Sequence, residues 1–149
     1  MWRWMVCALA CGVVMPVWAK STMPTVTAAQ YERIYDQCVD EEGDGYLSNR
    51  VIATCSMKVN RAVDASREVL LDEVRGLIRD QYQPAQAGYN EANLMQASQA
   101  WEAYAEAKCT VEGYLIGSPA AMLCSQDENV RRLLEEQELL RHLRETDGI

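Results

Sequence analysis

The chain has 149 residues, 24% of them charged, with 22 acidic against 14 basic side chains and a formal charge of −8. That is about one domain's worth of polypeptide, and its acidity argues against nucleic acid as a partner, because phosphate binding needs a basic face. Six cysteines in so short a sequence make the redox compartment the first question.

The opening reads as an address. Met1-Trp2-Arg3 carries one positive charge, Trp4 to Val17 is almost wholly apolar, and Val17-Trp18-Ala19 ends the run in a small-residue cleavage pattern. The spacing predicts a signal peptide over residues 1–19. Its apolar run is too short for a comfortable membrane span, which takes ~20 residues, so no stable span is expected after cleavage. Cys11 follows Ala8-Leu9-Ala10, a loose match to a lipoprotein box. An alanine stands where a larger aliphatic residue is expected, and apolar sequence continues past the cysteine, which argues against a lipid anchor there. The predicted domain, residues 20–149, then holds 13 basic against 22 acidic side chains and Trp101 as its only tryptophan. Its predicted location is periplasmic or secreted.

Four helices follow in order. Thr27 and Gln30 form a candidate capping box, after which Tyr31, Ile34, Tyr35 and Cys38 recur at helical spacing. Gly43 and Gly45 end that helix. Ser48 or Asn49 can cap a long second helix whose stripe runs Ile52, Cys55, Val59, Ala62, Ser66, Val69, Glu73 and Leu77, broadened by Val63, Leu70 and Val74. Pro84 limits it to about Tyr82, and Gln83 to Tyr89 reads as a Pro/Gly linker. Asn90 is the expected cap of a third helix carrying Leu94, Ala97, Trp101, Tyr104 and Lys108. Gly113 and Gly117 mark a second loop. Ser118-Pro119 opens a fourth helix with Met122, Gln126, Val130, Leu133, Gln137 and Leu140 on its apolar side. No alternating strand pattern appears, so the expected class is all-α: a small, disulfide-stapled four-helix bundle.

Beyond the signal the cysteines are Cys38, Cys55, Cys109 and Cys124, and export implies an oxidising compartment. Three pairings are possible. Loop closure favours neighbours, Cys38 with Cys55 and Cys109 with Cys124, each worth ~3 kcal/mol in the chain-entropy model. Thiols spent as crosslinks are not nucleophiles or metal ligands.

The residues around them resemble a known family. Leu94, Ala97, Trp101, Tyr104, Cys109, Gly117, Ser118, Cys124 and Arg132 fall at the spacing of the LprI-type lysozyme-inhibitor domain, also called DUF1311. Tyr35-x-x-Cys38, Cys55 and Asp64 are similar to its front half, so the likeness spans about residues 31–134. Ser98 stands where that family usually has Gln, Ala105 where it has Arg, and Arg67-Glu68 where it has Leu-Asn. The resemblance implies a helical fold and inhibition of a peptidoglycan-degrading enzyme.

The residues themselves suggest no catalytic set and no cofactor. His142, the only histidine, lies in a charged tail and reads as a helix-end cation. Glu135-Glu136 and Glu138 read as surface charge, without the defined carboxylate separation that glycan cleavage needs. Asp40 to Gly45 imitates the start of a calcium loop, but Val51 stands where the closing bidentate Glu belongs, so no metal site is expected. Trp101 reads as core packing, with a binding anchor as the alternative. What remains is partner binding through the two bracketed loops, Asp40–Asn49 and Thr110–Pro119. Asp40, Glu41, Glu42, Asp44 and Tyr46 are the candidate contacts on the first, and Tyr114 and Ser118 on the second. A basic protein such as a lysozyme or another peptidoglycan hydrolase suits the acidic charge. A periplasmic immunity protein or an envelope scaffold without inhibitory activity is the alternative.

Overall fold

The computed structural model describes residues 25–146. The predicted signal peptide, its cleavage site and Cys11 lie outside them. Four helices account for nearly all of the described chain: α1 (Ala28–Glu42), α2 (Asn49–Gln81), α3 (Pro84–Ile116) and α4 (Ser118–Thr146). No strand occurs among the described residues. The expected all-α bundle is the observed one.

Local chemistry sets the helix starts. The Gln30 side chain accepts the Thr27 N–H at 2.8 Å, one half of a capping box. The Ser48 hydroxyl accepts the Val51 N–H at 3.3 Å, so Ser48 caps α2. At the other junctions the structure departs from the sequence reading. Gln83 to Tyr89 is no linker: Gln83 is the N-cap of α3 and Pro84 its first residue. There the missing N–H is no loss, since the first-turn donors have no intrahelical partner. Asn90 therefore caps nothing, and accepts instead from Gln86 at 2.9 Å. Gly113 lies inside α3, which runs to Ile116, so Thr110–Pro119 is not a loop. Gly117 alone separates α3 from α4, at φ 121°, where an L side chain would be strained.

The α2–α4 contact is the most extensive in the bundle. Its register is read from side-chain pairs: Asn60 with Asn129, Arg67 with Glu136 and Glu73 with Arg144, offsets of 69, 69 and 71. A nearly constant offset means that the two helices run parallel. α1 lies antiparallel to α2, through Tyr31–Ser66 and Cys38–Cys55. α3 lies antiparallel to α4, through Lys108–Glu128 and Cys109–Cys124.

Burial in α2 follows Ile52, Cys55, Val59, Val63, Leu70, Val74 and Ile78. The stripe is rotated slightly from the one expected, and Val69, counted on it, is exposed. Leu133 and Leu140 of α4 and Tyr31 of α1 complete the main core, and Cys38, Val51 and Cys55 form a smaller cluster beyond it. Fully burying a side chain of this size is worth about 1.5–3 kcal/mol. α3 contributes little: only Ala87, Ala105 and Cys109 are buried along its 33 residues.

Candidate partner-binding surface

Both predicted disulfides are present, Cys38–Cys55 and Cys109–Cys124, each with Cα atoms 5.4 Å apart. The offset of 69 that relates α2 to α4 also separates Cys55 from Cys124, and Asn49 from Ser118. The parallel register thus sets both staples at one level and both turns, α1–α2 and α3–α4, at one end of the bundle. We call this end the apex. Sequence separation hides it, since the two turns are some 70 positions apart.

The α1–α2 turn is built tightly. Gly43 is buried, and a Cβ there would stand 2.5 Å from the backbone oxygen of Val39. Asp44 and Gly45 follow with φ of 42° and 79°, conformations that Asp tolerates and Gly prefers. The Tyr46 N–H returns to the Gly43 carbonyl at 2.6 Å. This geometry turns the Tyr46 side chain into solvent, 80% exposed, and leaves Leu47 exposed beside it. Asp40, Glu41 and Glu42 occupy the last turn of α1 and are exposed, as is Asp44. Glu41 pairs with Lys58 at 2.9 Å, a solvent-exposed pair of little energetic weight.

At the α3–α4 turn Tyr114 is 87% exposed, and Ser118, also exposed, begins α4. Two neighbours escaped the sequence reading. Leu115 and Ile116 are nearly as exposed as Tyr114, so three successive large side chains end α3 in solvent. The signal was present in the sequence: Tyr114-Leu115-Ile116-Gly117 has no polar residue, and a helix end cannot bury three consecutive directions at once. Just below, a Cβ on Gly113 would meet the Ala121 Cβ at 3.0 Å, so the two helix ends are in close contact.

A second polar assembly lies lower, between α2, α3 and α4. Glu136, read from the sequence as surface charge, is buried. It accepts Arg67 Nε and Nη2 at 2.8 Å each and Arg132 Nε at 3.0 Å. Arg67 also reaches the Ser98 hydroxyl at 3.4 Å. The Trp101 ring centroid lies 5.4 Å from the Arg67 guanidinium and 5.8 Å from that of Arg132, both within cation–π range. Trp101 is therefore not plain core; it is half-buried beside two arginines. The hydrogen bond to Glu136 holds the Arg67 pKa above its ordinary value despite burial.

Nearer the apex, Glu128 is buried and takes Lys108 at 2.6 Å as well as Arg131. Burial alone would raise its carboxyl. The hydrogen bonds and charges of the two cations outweigh that and hold the pKa below the usual glutamate value. Every cation named here is engaged by a carboxylate. The chemistry this region can perform is therefore cohesive: it ties three helices together.

His142, in the penultimate turn of α4, is exposed, 3.7 Å from Glu138 and 4.0 Å from Glu145. No helix of the described residues is long and apolar enough to cross a membrane. In comparisons with protein-family models, curated proteins and solved structures, the chain matches none.

Proposed function

We propose that this chain is an extracytoplasmic binding protein that occludes a peptidoglycan-degrading enzyme, and that it has no catalytic role of its own. The residues that resemble the LprI-type inhibitors suggested this reading, and the apex is the observation that supports it best. Two disulfide-braced turns at one end present Asp40, Glu41, Glu42 and Asp44 beside Tyr46, Tyr114 and Ser118. A rigid acidic projection suits the mouth of a basic, cleft-bearing enzyme, because opposite fields speed encounter and bracing lowers the ordering cost of binding. The staples themselves fit an oxidising compartment.

The test is muramidase turnover. Purified protein in molar excess over a c-type lysozyme, at low ionic strength, is expected to suppress cell-wall lysis, with suppression weakening as salt rises. Unchanged turnover across the whole titration overturns the proposal.

A further inference from the structure

The apex carries more apolar surface than a solvated bundle end has reason to show. Tyr46, Leu47, Tyr114, Leu115 and Ile116 are 80%, 57%, 87%, 79% and 76% exposed, and the parallel α2–α4 register sets them at the same end. Single exposed apolar residues need no explanation, but two groups of large exposed side chains on turns at the same end point to an interaction surface. From this arrangement we infer that the apex is a two-part docking knob: Leu115 and Ile116, with Tyr114, Tyr46 and Leu47 at the same end, enter an apolar recess of a partner protein, while the acidic residues of the α1–α2 turn meet basic groups on its rim. This deepens the function proposed above and rests on that reading.

Three arguments single out this occupant. The first is shape. Successive residues of a helix point about 100° apart, so Tyr114, Leu115 and Ile116 face three directions around the end of α3, and only a concave partner covers them together. The second is charge. Asp40, Glu41, Glu42 and Asp44 outnumber Arg50 and Lys58 around the first turn. A second copy would bring the same acidic collar against its own, and an anionic lipid surface would repel it. A basic rim is attracted. The third is rigidity. Cys109–Cys124 and the Gly113–Ala121 contact hold the end of α3 against α4, so little order has to be gained on docking.

The division of labour is directly testable. Leu115→Ser/Ile116→Ser changes only exposed side chains and should leave the fold intact, as circular dichroism would register. It should weaken affinity for a c-type lysozyme at least about tenfold, mainly through faster dissociation, because buried apolar anchors dominate interface energy. Asp40→Asn/Glu41→Gln/Glu42→Gln/Asp44→Asn should slow association and flatten its salt dependence. Met95→Ser, exposed on α3 far from the apex, should bind like the unaltered protein. Polylysine, which offers charge without a recess, should bind more weakly and be indifferent to the Leu115/Ile116 change.

If lysozyme turnover falls while the Leu115/Ile116 variant binds within twofold of the unaltered protein, occlusion stands and the knob is wrong. If the variant loses binding but the unaltered protein never slows turnover, the knob stands and occlusion is wrong. Absence of any lysozyme binding overturns both. Apex-dependent binding to phosphatidylcholine vesicles, or apex-dependent self-association in sedimentation, also overturns the knob in favour of a membrane or a second copy.

Discussion

Glu136 shows most clearly what a single residue does in this bundle. It is 2% exposed and neutralised by Arg67, itself 9% exposed, with Arg132 as a second partner. A buried ion pair is not strong evidence of net stabilisation, because desolvating both charges offsets their attraction. Its removal by halves is another matter. Glu136→Gln leaves Arg67 charged, buried and facing Arg132, and should destabilise the protein by roughly 3–5 kcal/mol. Arg67→Met should cost less, since Arg132 still pairs with the carboxylate. Replacing both, as Arg67→Met/Glu136→Leu, should recover most of the loss. Urea unfolding midpoints measure all three. A loss below about 1 kcal/mol for Glu136→Gln would show that water reaches the site and that the pair is not buried in solution. The Trp101 indole beside the same two arginines offers a fluorescence reporter, since its surroundings change in each variant.

Glycine carries opposite meanings along the helices, and only the structure separates them. Gly43 closes α1 where a Cβ would collide with the Val39 carbonyl, whereas Gly88 lies inside α3 with nothing within 4 Å of the position a Cβ would take. Gly88→Ala should therefore stabilise the protein by ~0.5–1 kcal/mol by removing unfolded-state freedom and adding a better helix former. Gly43→Ala should destabilise it, because the obstructing atom is backbone and the turn must shift. Thermal unfolding of the two variants should move in opposite directions; a lower midpoint for Gly88→Ala would contradict the open helical environment described here. The same pair explains what was legible in the sequence. Caps such as Ser48 and the Thr27–Gln30 box are local chemistry, and so are the neighbouring cysteines. Pro84 does limit α2 near Tyr82, but Gln83 to Tyr89 was misread as a linker and Gly113 as part of a loop, because a sequence does not say whether a Pro stands at the first helical position or whether a Gly faces open space. Glu136 was misread for a different reason: its partner Arg67 is 69 positions away. The apex was half legible. Its acidic and aromatic residues are visible in two separate turns, but their juxtaposition depends on the α2–α4 register.

On the scale of the whole molecule, cohesion is uneven. α2 and α4 share the core and the deepest ion pair, and α1 is fastened to both: Tyr31 bonds Ser66, and the backbone of Val26 exchanges hydrogen bonds with the Gln137 side chain at 2.8 and 3.3 Å. α3 is held differently. In its upper half it has the Cys109–Cys124 staple, buried Ala105, the Lys108–Glu128 bridge and the Trp101 contacts with Arg67 and Arg132. Below Trp101 it has Ala87, the half-buried Leu94 and an exposed-side pair between Arg79 and Glu91 at 3.5 Å. Regions with few buried apolar contacts open at lower free energy than the core. Native-state hydrogen exchange should accordingly find the amides of Ala87 to Leu94 exchanging through a sub-global opening, while α2 from Val59 to Val74 and α4 around Leu133 exchange only on global unfolding. Reducing the disulfides should alter the pattern at the other end, where both staples join the helix ends, and bring the apex down towards the lower half of α3. Equal protection along α3 in the oxidised protein would mean that its lower half is covered by something more than the residues described. A graded result would show a bundle whose twice-stapled end is its more rigid end.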